Sequence, residues 1–175
     1  MGDRRRCPPA AAAAALAVAY LWLPNTSAQA GTEPACQHLS ISRATYIQAT
    51  LGHARTDLFL TNVSNAPCRI AGYPNVELLD DQGQPLSVHV RRGADHMKAR
   101  DPGSRALRVQ PKGDVVFALS DVGSGSNGRS CRVSRYVSVQ LSGMPSITRR
   151  LAIAPCYTLN VTAVAARESD LNPKR

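Results

Sequence analysis

The densest patterning in the chain lies between residues 57 and 81, DLFLTNVSNAPCRIAGYPNVELLDD. Leu58 and Leu60 point to one side of an extended segment, and Phe59 and Val63 to the other. That is the pattern of a strand covered on both faces. Asn65-Ala66-Pro67 supplies turn chemistry ahead of Cys68. Pro74 fixes its own φ and holds Tyr73 extended, which makes Gly72-Tyr73-Pro74 a stiff corner. Val76 and Leu78 then alternate with Glu77, and Asp80-Asp81-Gln82-Gly83 turns the chain back.

The same period of two recurs on both sides. Leu39 and Ile41 alternate with Ser40 and Ser42, and Leu86, Val88 and Val90 with Ser87 and His89, predicting a hairpin with the strand at 76–78. Leu107 and Val109 precede a Pro111-Lys112-Gly113 turn, and Val115, Phe117 and Leu119 follow it. Val137, Val139 and Leu141 alternate with Ser138 and Gln140, Leu151 and Ile153 mark a short strand, and Tyr157, Leu159, Val161 and Ala163 the last one. About nine short strands with regular turn signals predict an all-β fold, an antiparallel β-sandwich. From residue 166 the composition becomes polar, and residues 166–175 are expected to form a frayed, disordered tail.

Residues 1–30 stand apart. Arg4, Arg5 and Arg6 precede an apolar run from Ala10 to Leu23, Pro24 ends it, and Ala28-Gln29-Ala30 offers a small-x-small cleavage pattern. This is the grammar of a secretory signal peptide, a helix removed on export. The run is short of the roughly 20 residues that span a bilayer. Cys7 precedes the run and so cannot serve as a lipoprotein cysteine. The expected mature product is residues 31–175, with one sandwich domain over 31–165 and no membrane span after cleavage. Its formal charge is +7, from 18 Lys+Arg less 11 Asp+Glu, against +9 for the whole chain. A basic excess favours anionic surfaces but does not dictate a fold.

Four cysteines remain after cleavage, Cys36, Cys68, Cys131 and Cys156. An even number in an exported chain predicts two disulfides with three possible connectivities, and sequential pairing is the expectation. Each bridge then closes a loop of about 26 to 33 residues and contributes on the order of 3–4 kcal/mol.

Leu51-Gly52-His53, Leu60-Thr61-Asn62 with Cys68, Gly72-Tyr73-Pro74-Asn75-Val76-Glu77-Leu78, a basic loop, Pro111-Lys112-Gly113, Cys131 and Cys156 follow one another in the chain. In this order they resemble domain-of-unknown-function family 4232, a group of secreted actinobacterial domains, over roughly residues 36–164. The resemblance implies an immunoglobulin-like fold and an exported or lipid-anchored envelope protein. Neither a lipobox cysteine nor a Thr/Pro-rich linker follows the leader, which favours free secretion over anchoring. The resemblance brings no catalytic residues. The only tryptophan, Trp22, lies in the leader, so the usual immunoglobulin core Trp is missing.

Candidate chemistry is sparse. Residues 123–128 match G-x-G-x-x-G, but a strand follows where a dinucleotide site needs a helix, so a flexible loop is the expectation. His38, His53, His89 and His96 have no convergent spacing, and no metal or cofactor is expected. There is no G-x-S-x-G, and Asp80 and Asp81 serve a turn better than an acid/base pair. Asn62-Val63-Ser64 and Asn160-Val161-Thr162 are glycosylation sequons only in a eukaryotic host.

The basic stretch 91–112 lacks the stacking aromatics of a nucleic-acid site. A solvated loop is its plain reading, and an anion-attracting face its functional one. Tyr73 with Arg91, Arg92, Arg100 and Arg105 forms the candidate binding surface, for an anionic envelope polymer or another envelope protein. The expectation is a non-enzymatic exported module. Its alternatives are a hydrolase or metal-dependent enzyme built from loops, and a purely structural envelope protein.

Overall fold

The computed structural model describes residues 33–48, 53–93, 99–122 and 131–172. The expected signal helix, Leu51 and Gly52, the 94–98 segment and the loop at 123–130 lie outside the described residues. Ten strands follow in order: β1 (Leu39–Gln48), β2 (His53–Asn62), β3 (Cys68–Ile70), β4 (Asn75–Leu79), β5 (His89–Arg92), β6 (Leu107–Val109), β7 (Asp114–Val122), β8 (Tyr136–Gln140), β9 (Ile147–Arg150) and β10 (Thr158–Val161). One layer is a five-stranded sheet in the order β1-β2-β7-β10-β5; the other strands form β4-β8-β9 and β3-β6. All pairs are antiparallel except β10 with β5. The domain is an all-β, immunoglobulin-like sandwich.

β2 explains the architecture. Its even phase, Leu58 and Leu60, faces Phe117 and Val115 of β7 and meets Val76, Leu78, Val137, Val139, Leu159 and Val161 in the inter-sheet core. Burying each such side chain contributes roughly 1.5–3 kcal/mol. The odd phase is also covered: Phe59 packs with Val116, Ala118, Ala99, Ala165 and Leu171 in a second, smaller cluster. Arg43 of β1 stacks its guanidinium over the Phe59 ring at 3.7 Å from the centroid. A register shift between Ile41 and Arg43 changes which β1 residues face inward.

The cover on that second face is the C-terminal segment, and here the sequence reading needs correction. A 3₁₀ turn spans Glu168–Leu171, and Leu171 is fully buried, so the chain does not fray at 166 but is seated through Asn172. The polar residues Glu168, Ser169 and Asp170 present one anchor, Leu171, which the composition alone does not distinguish from a tail. Val63 is corrected too: β2 ends at Asn62, and Val63 is exposed in the following turn.

Asn62 is the reason the strand ends there. It is 0% exposed. Its Nδ2 donates to the carbonyls of Ala66 (2.8 Å) and Val109 (3.3 Å), and its Oδ1 accepts from Ser64 N–H (3.0 Å) and Ser64 Oγ (2.7 Å). The side chain thus closes the turn that delivers Cys68 to Cys36.

Both disulfides pair sequentially, as expected: Cys36–Cys68 with Cα atoms 4.9 Å apart and Cys131–Cys156 with 4.5 Å. The hairpin expected between 76–78 and 86–90 is only its turn. Asp80 Oδ1 accepts from the amides of Gln82 and Gln84, and Leu86 N–H reaches Leu78 O, but the chain then crosses to the other sheet, where β5 joins β10. Pro85 has no amide proton with which to extend the ladder. The strand expected at Leu151–Ile153 lies earlier, as β9, although Leu151 N–H still bonds Arg135 O.

Candidate binding surface

The parallel pairing of β5 with β10 builds one end of the candidate surface. His89 N–H donates to Tyr157 O and Gly93 N–H to Val161 O, both at 2.9 Å. Residues 89, 91 and 93 therefore spend their backbone groups on β10, while Val90 and Arg92 direct theirs away from the sheet. No described strand pairs with that side. All four side chains of β5 are exposed. Alternation sends Arg91 and Arg92 to opposite faces.

Arg92 lies on the side of the Tyr73 corner. Gly72, at φ +87°, makes the bend that L side chains resist, and its carbonyl accepts from Val164 N–H. The half-buried Tyr73 hydroxyl donates to Asp101 Oδ2 at 2.5 Å. That bond to a carboxylate, more than burial or the Asp101 charge, raises the Tyr73 pKa above its ordinary value, while Arg92 pulls it down. Asp101 Oδ1 accepts in turn from Ala163 N–H (3.0 Å) and Gly103 N–H (3.3 Å). One carboxylate so ties the corner, the 99–105 loop and the end of β10 together.

The two remaining arginines edge the same region. Arg100 is exposed while its amide donates to Leu171 O at 2.7 Å, and exposed Arg105 reaches Asp170 Oδ2 at 3.8 Å. A solvent-facing pair of that length contributes little to stability. The structure therefore brings Tyr73, Arg92, Arg100 and Arg105 to one region around Asp101 and the C-terminal turn, with Arg91 on the opposite face of β5. Tyr73 is committed to Asp101. The basic stretch is less free than its sequence implies: Arg108 Nε pairs with Glu33, which also approaches Arg69. The Gly/Ser loop and Lys98 lie outside the described residues.

Sequence reasoning missed the buried polar row on the covered face of β2. Arg55 and Asp57 are 2% and 0% exposed and form a bidentate pair, Nε to Oδ1 at 2.6 Å and Nη2 to Oδ2 at 2.7 Å. Arg55 Nη1 also donates to Leu171 O (3.3 Å) and Asn172 Oδ1 (3.2 Å), which clasps the C-terminal segment. Ser120, opposite Arg55 on β7, is buried, and its hydroxyl has no hydrogen-bond partner among the described residues. Beyond it, burial pushes the Asp121 carboxyl up, against the opposing pull of a backbone amide and of His53. The signal was present: Arg and Asp two apart in a strand whose other phase is apolar share one face.

Other chemistry does not converge. Among the described residues, no three His, Cys, Asp or Glu side chains are grouped to hold a metal ion. A small cavity of about 200 Å³ lies between β3 and the end of β8, lined by Ile70, Ala71, Leu141 and Met144 among others. It falls below the roughly 300 Å³ at which small-molecule pockets begin. Among the described residues, no helix is long and apolar enough to cross a membrane.

The family described as a domain of unknown function (DUF4232) matches residues 35–166 of the 175. The chain belongs to the DUF4232 family. The match begins beside Cys36, contains all four cysteines of the two disulfides and ends just after Ala165 bridges to Val116. The C-terminal turn that covers Phe59 thus lies past the DUF4232 boundary. No curated protein and no solved structure matches the chain.

Proposed function

We propose that this DUF4232 chain is an exported, non-enzymatic binding or interaction module of the cell envelope or extracellular space. In this reading the surface around Arg91, Arg92, Arg100 and Arg105 meets an anionic partner. The observation that carries it is β5, a sheet-edge strand whose residues are all exposed and which bears His89, Arg91 and Arg92 with no carboxylate. The signal-like first 30 residues and the two disulfides support the exported half, because such bonds persist in oxidising compartments. Two of the nearby acids are occupied, Asp101 by Tyr73 and two amides and Asp170 by Arg105.

The test is binding of the exported protein to poly-L-glutamate across a salt series. Wild type is expected to bind with an affinity that falls steeply with salt. The Arg91→Gln, Arg92→Gln, Arg100→Gln, Arg105→Gln variant is expected to lose at least tenfold. Unchanged binding by that variant removes the basic surface from the account. Intact-mass analysis of the same preparation checks export, expecting loss of residues 1–30 and four oxidised cysteines.

A further inference from the structure

We infer that β5 is a docking strand: an extended, acidic segment of another protein adds to the edge at His89–Arg92 that no described strand occupies. This deepens the proposed function and rests on the reading of the basic edge as a binding surface.

Three observations converge. First, β5 ends the five-stranded sheet, and its bonds from His89 and Gly93 to β10 leave the amides and carbonyls of Val90 and Arg92 pointing outward. Those are the groups an added strand pairs with. Second, the side chains match one kind of occupant. His89 and Arg91 make one face of β5 basic, and on the other face Val90, 37% exposed, offers an apolar contact beside Arg92. An incoming strand alternating carboxylates with small apolar residues meets both.

Third, the same charge excludes a rival occupant. Arginines on a sheet edge guard against edge-to-edge pairing of identical copies. A second β5 would bring like charges together, whereas an acidic strand is attracted, so the charge selects between partners. The edge at β1 differs: it carries a register shift, and Arg149 Nη1 already caps the Ile41 carbonyl at 2.8 Å.

The experiment uses the exported protein and two synthetic peptides of equal charge, acetyl-(Glu-Val)₃-amide and the same peptide methylated on the backbone nitrogen of every residue. The methylated peptide has no residue amide proton to donate from either side and so cannot complete a ladder. Wild type is expected to bind the Glu-Val peptide at least tenfold more tightly than its methylated counterpart. Bound Glu-Val peptide should slow hydrogen exchange at the Val90 and Arg92 amides.

Val90→Pro removes one outward amide and no bond to β10, a place where proline is tolerated in a sheet. It should reduce Glu-Val binding at least tenfold, and the exchange measurement on wild type stands if the variant folds poorly. Arg91→Gln with Arg92→Gln should weaken binding and flatten its salt dependence. Equal affinity for the two peptides, or unchanged exchange at Val90 and Arg92, overturns strand addition. If poly-L-glutamate binding survives in that case, the proposed function stands and the partner is a polyanion gripped by charge alone; if it too is absent, both readings fall. Concentration-dependent dimers blocked by Val90→Pro overturn the inference in favour of self-pairing.

Discussion

Replacing Asp57 with alanine tests whether the covered face of β2 is held by its ion pair. The substitution deletes both carboxylate acceptors of the Arg55 guanidinium, at 2.6 and 2.7 Å, in a site where neither side chain is more than 3% exposed. The Arg55 bonds to Leu171 O and Asn172 Oδ1 are longer than the two to Asp57 and are made to uncharged acceptors. Breaking one side of a buried pair costs about 3–5 kcal/mol, a large share of the 5–15 kcal/mol that holds a domain together. At about 2–4 °C per kcal/mol for a chain of this size, melting should fall by roughly 6–20 °C.

The assay is thermal unfolding by circular dichroism with both disulfides intact, alongside hydrogen exchange at residues 168–172. Loss of the clasp should speed exchange there before global melting. Arg55→Met combined with Asp57→Leu removes both charges and should recover most of the loss, because an apolar pair of similar volume is often as stable as a buried ionic one. A drop below about 1 kcal/mol for Asp57→Ala, or a double variant worse than the single one, would refute the view that loss of this ion pair is the cause.

Other expectations follow from single contacts. Cys36→Ala with Cys68→Ala opens a bridge of sequence separation 32 and should cost about 3–4 kcal/mol in denaturant melts. Asp121→Asn should stabilise at pH 7: burial raises the folded carboxyl's pKa above 3.8, so the native state favours the proton, and wild type is disadvantaged where the acid is ionised. The advantage of the Asp121→Asn variant should shrink in pH-dependent melts as pH falls through the raised folded value and vanish below 3.8. Tyr73→Phe should cost about 1–2 kcal/mol at neutral pH through loss of the hydroxyl bond to Asp101. Because that bond raises the tyrosine pKa above 10.0, the stability it gives should disappear in alkaline melts as pH climbs through the folded value, and the phenylalanine variant should not show that loss.

Most strands were legible because they carry their own period, and Val115, Phe117 and Leu119 declare β7 as clearly as Leu58 and Leu60 declare β2, whereas β9 has no such alternation and was placed too late. The even cysteine count predicted two bridges but left three connectivities open, of which the sequential one taken as the expectation is the one found. Strand partnership was not legible. Nothing within residues 86–92 says that Val90 belongs beside Leu159 in a parallel pair rather than beside Val76, since that depends on a crossover closed only when β10 arrives much later in the chain. The C-terminal turn was opaque for a related reason: one leucine among polar residues is a tail or a plug according to whether a hole awaits it, and Phe59, Val116 and Ala118 make that hole elsewhere in the chain. Of the candidate surface, the sequence named the arginines but not the Asp101 carboxylate that gathers Tyr73 and two backbone amides.

The enclosed amide of Asn62 bears on how this protein can be manufactured. Asn62-Val63-Ser64 is an acceptor tripeptide, and yeast or mammalian secretory cells attach oligosaccharide to such tripeptides on nascent polypeptide. A sugar added there would occupy the nitrogen that must donate to Ala66 and Val109, and could not be fitted into a site with no solvent access. Bacterial secretion lines are therefore the route to homogeneous material, because a Ser64→Ala substitution abolishes this acceptor while keeping the asparagine but leaves Asn160-Val161-Thr162 open to the same transfer.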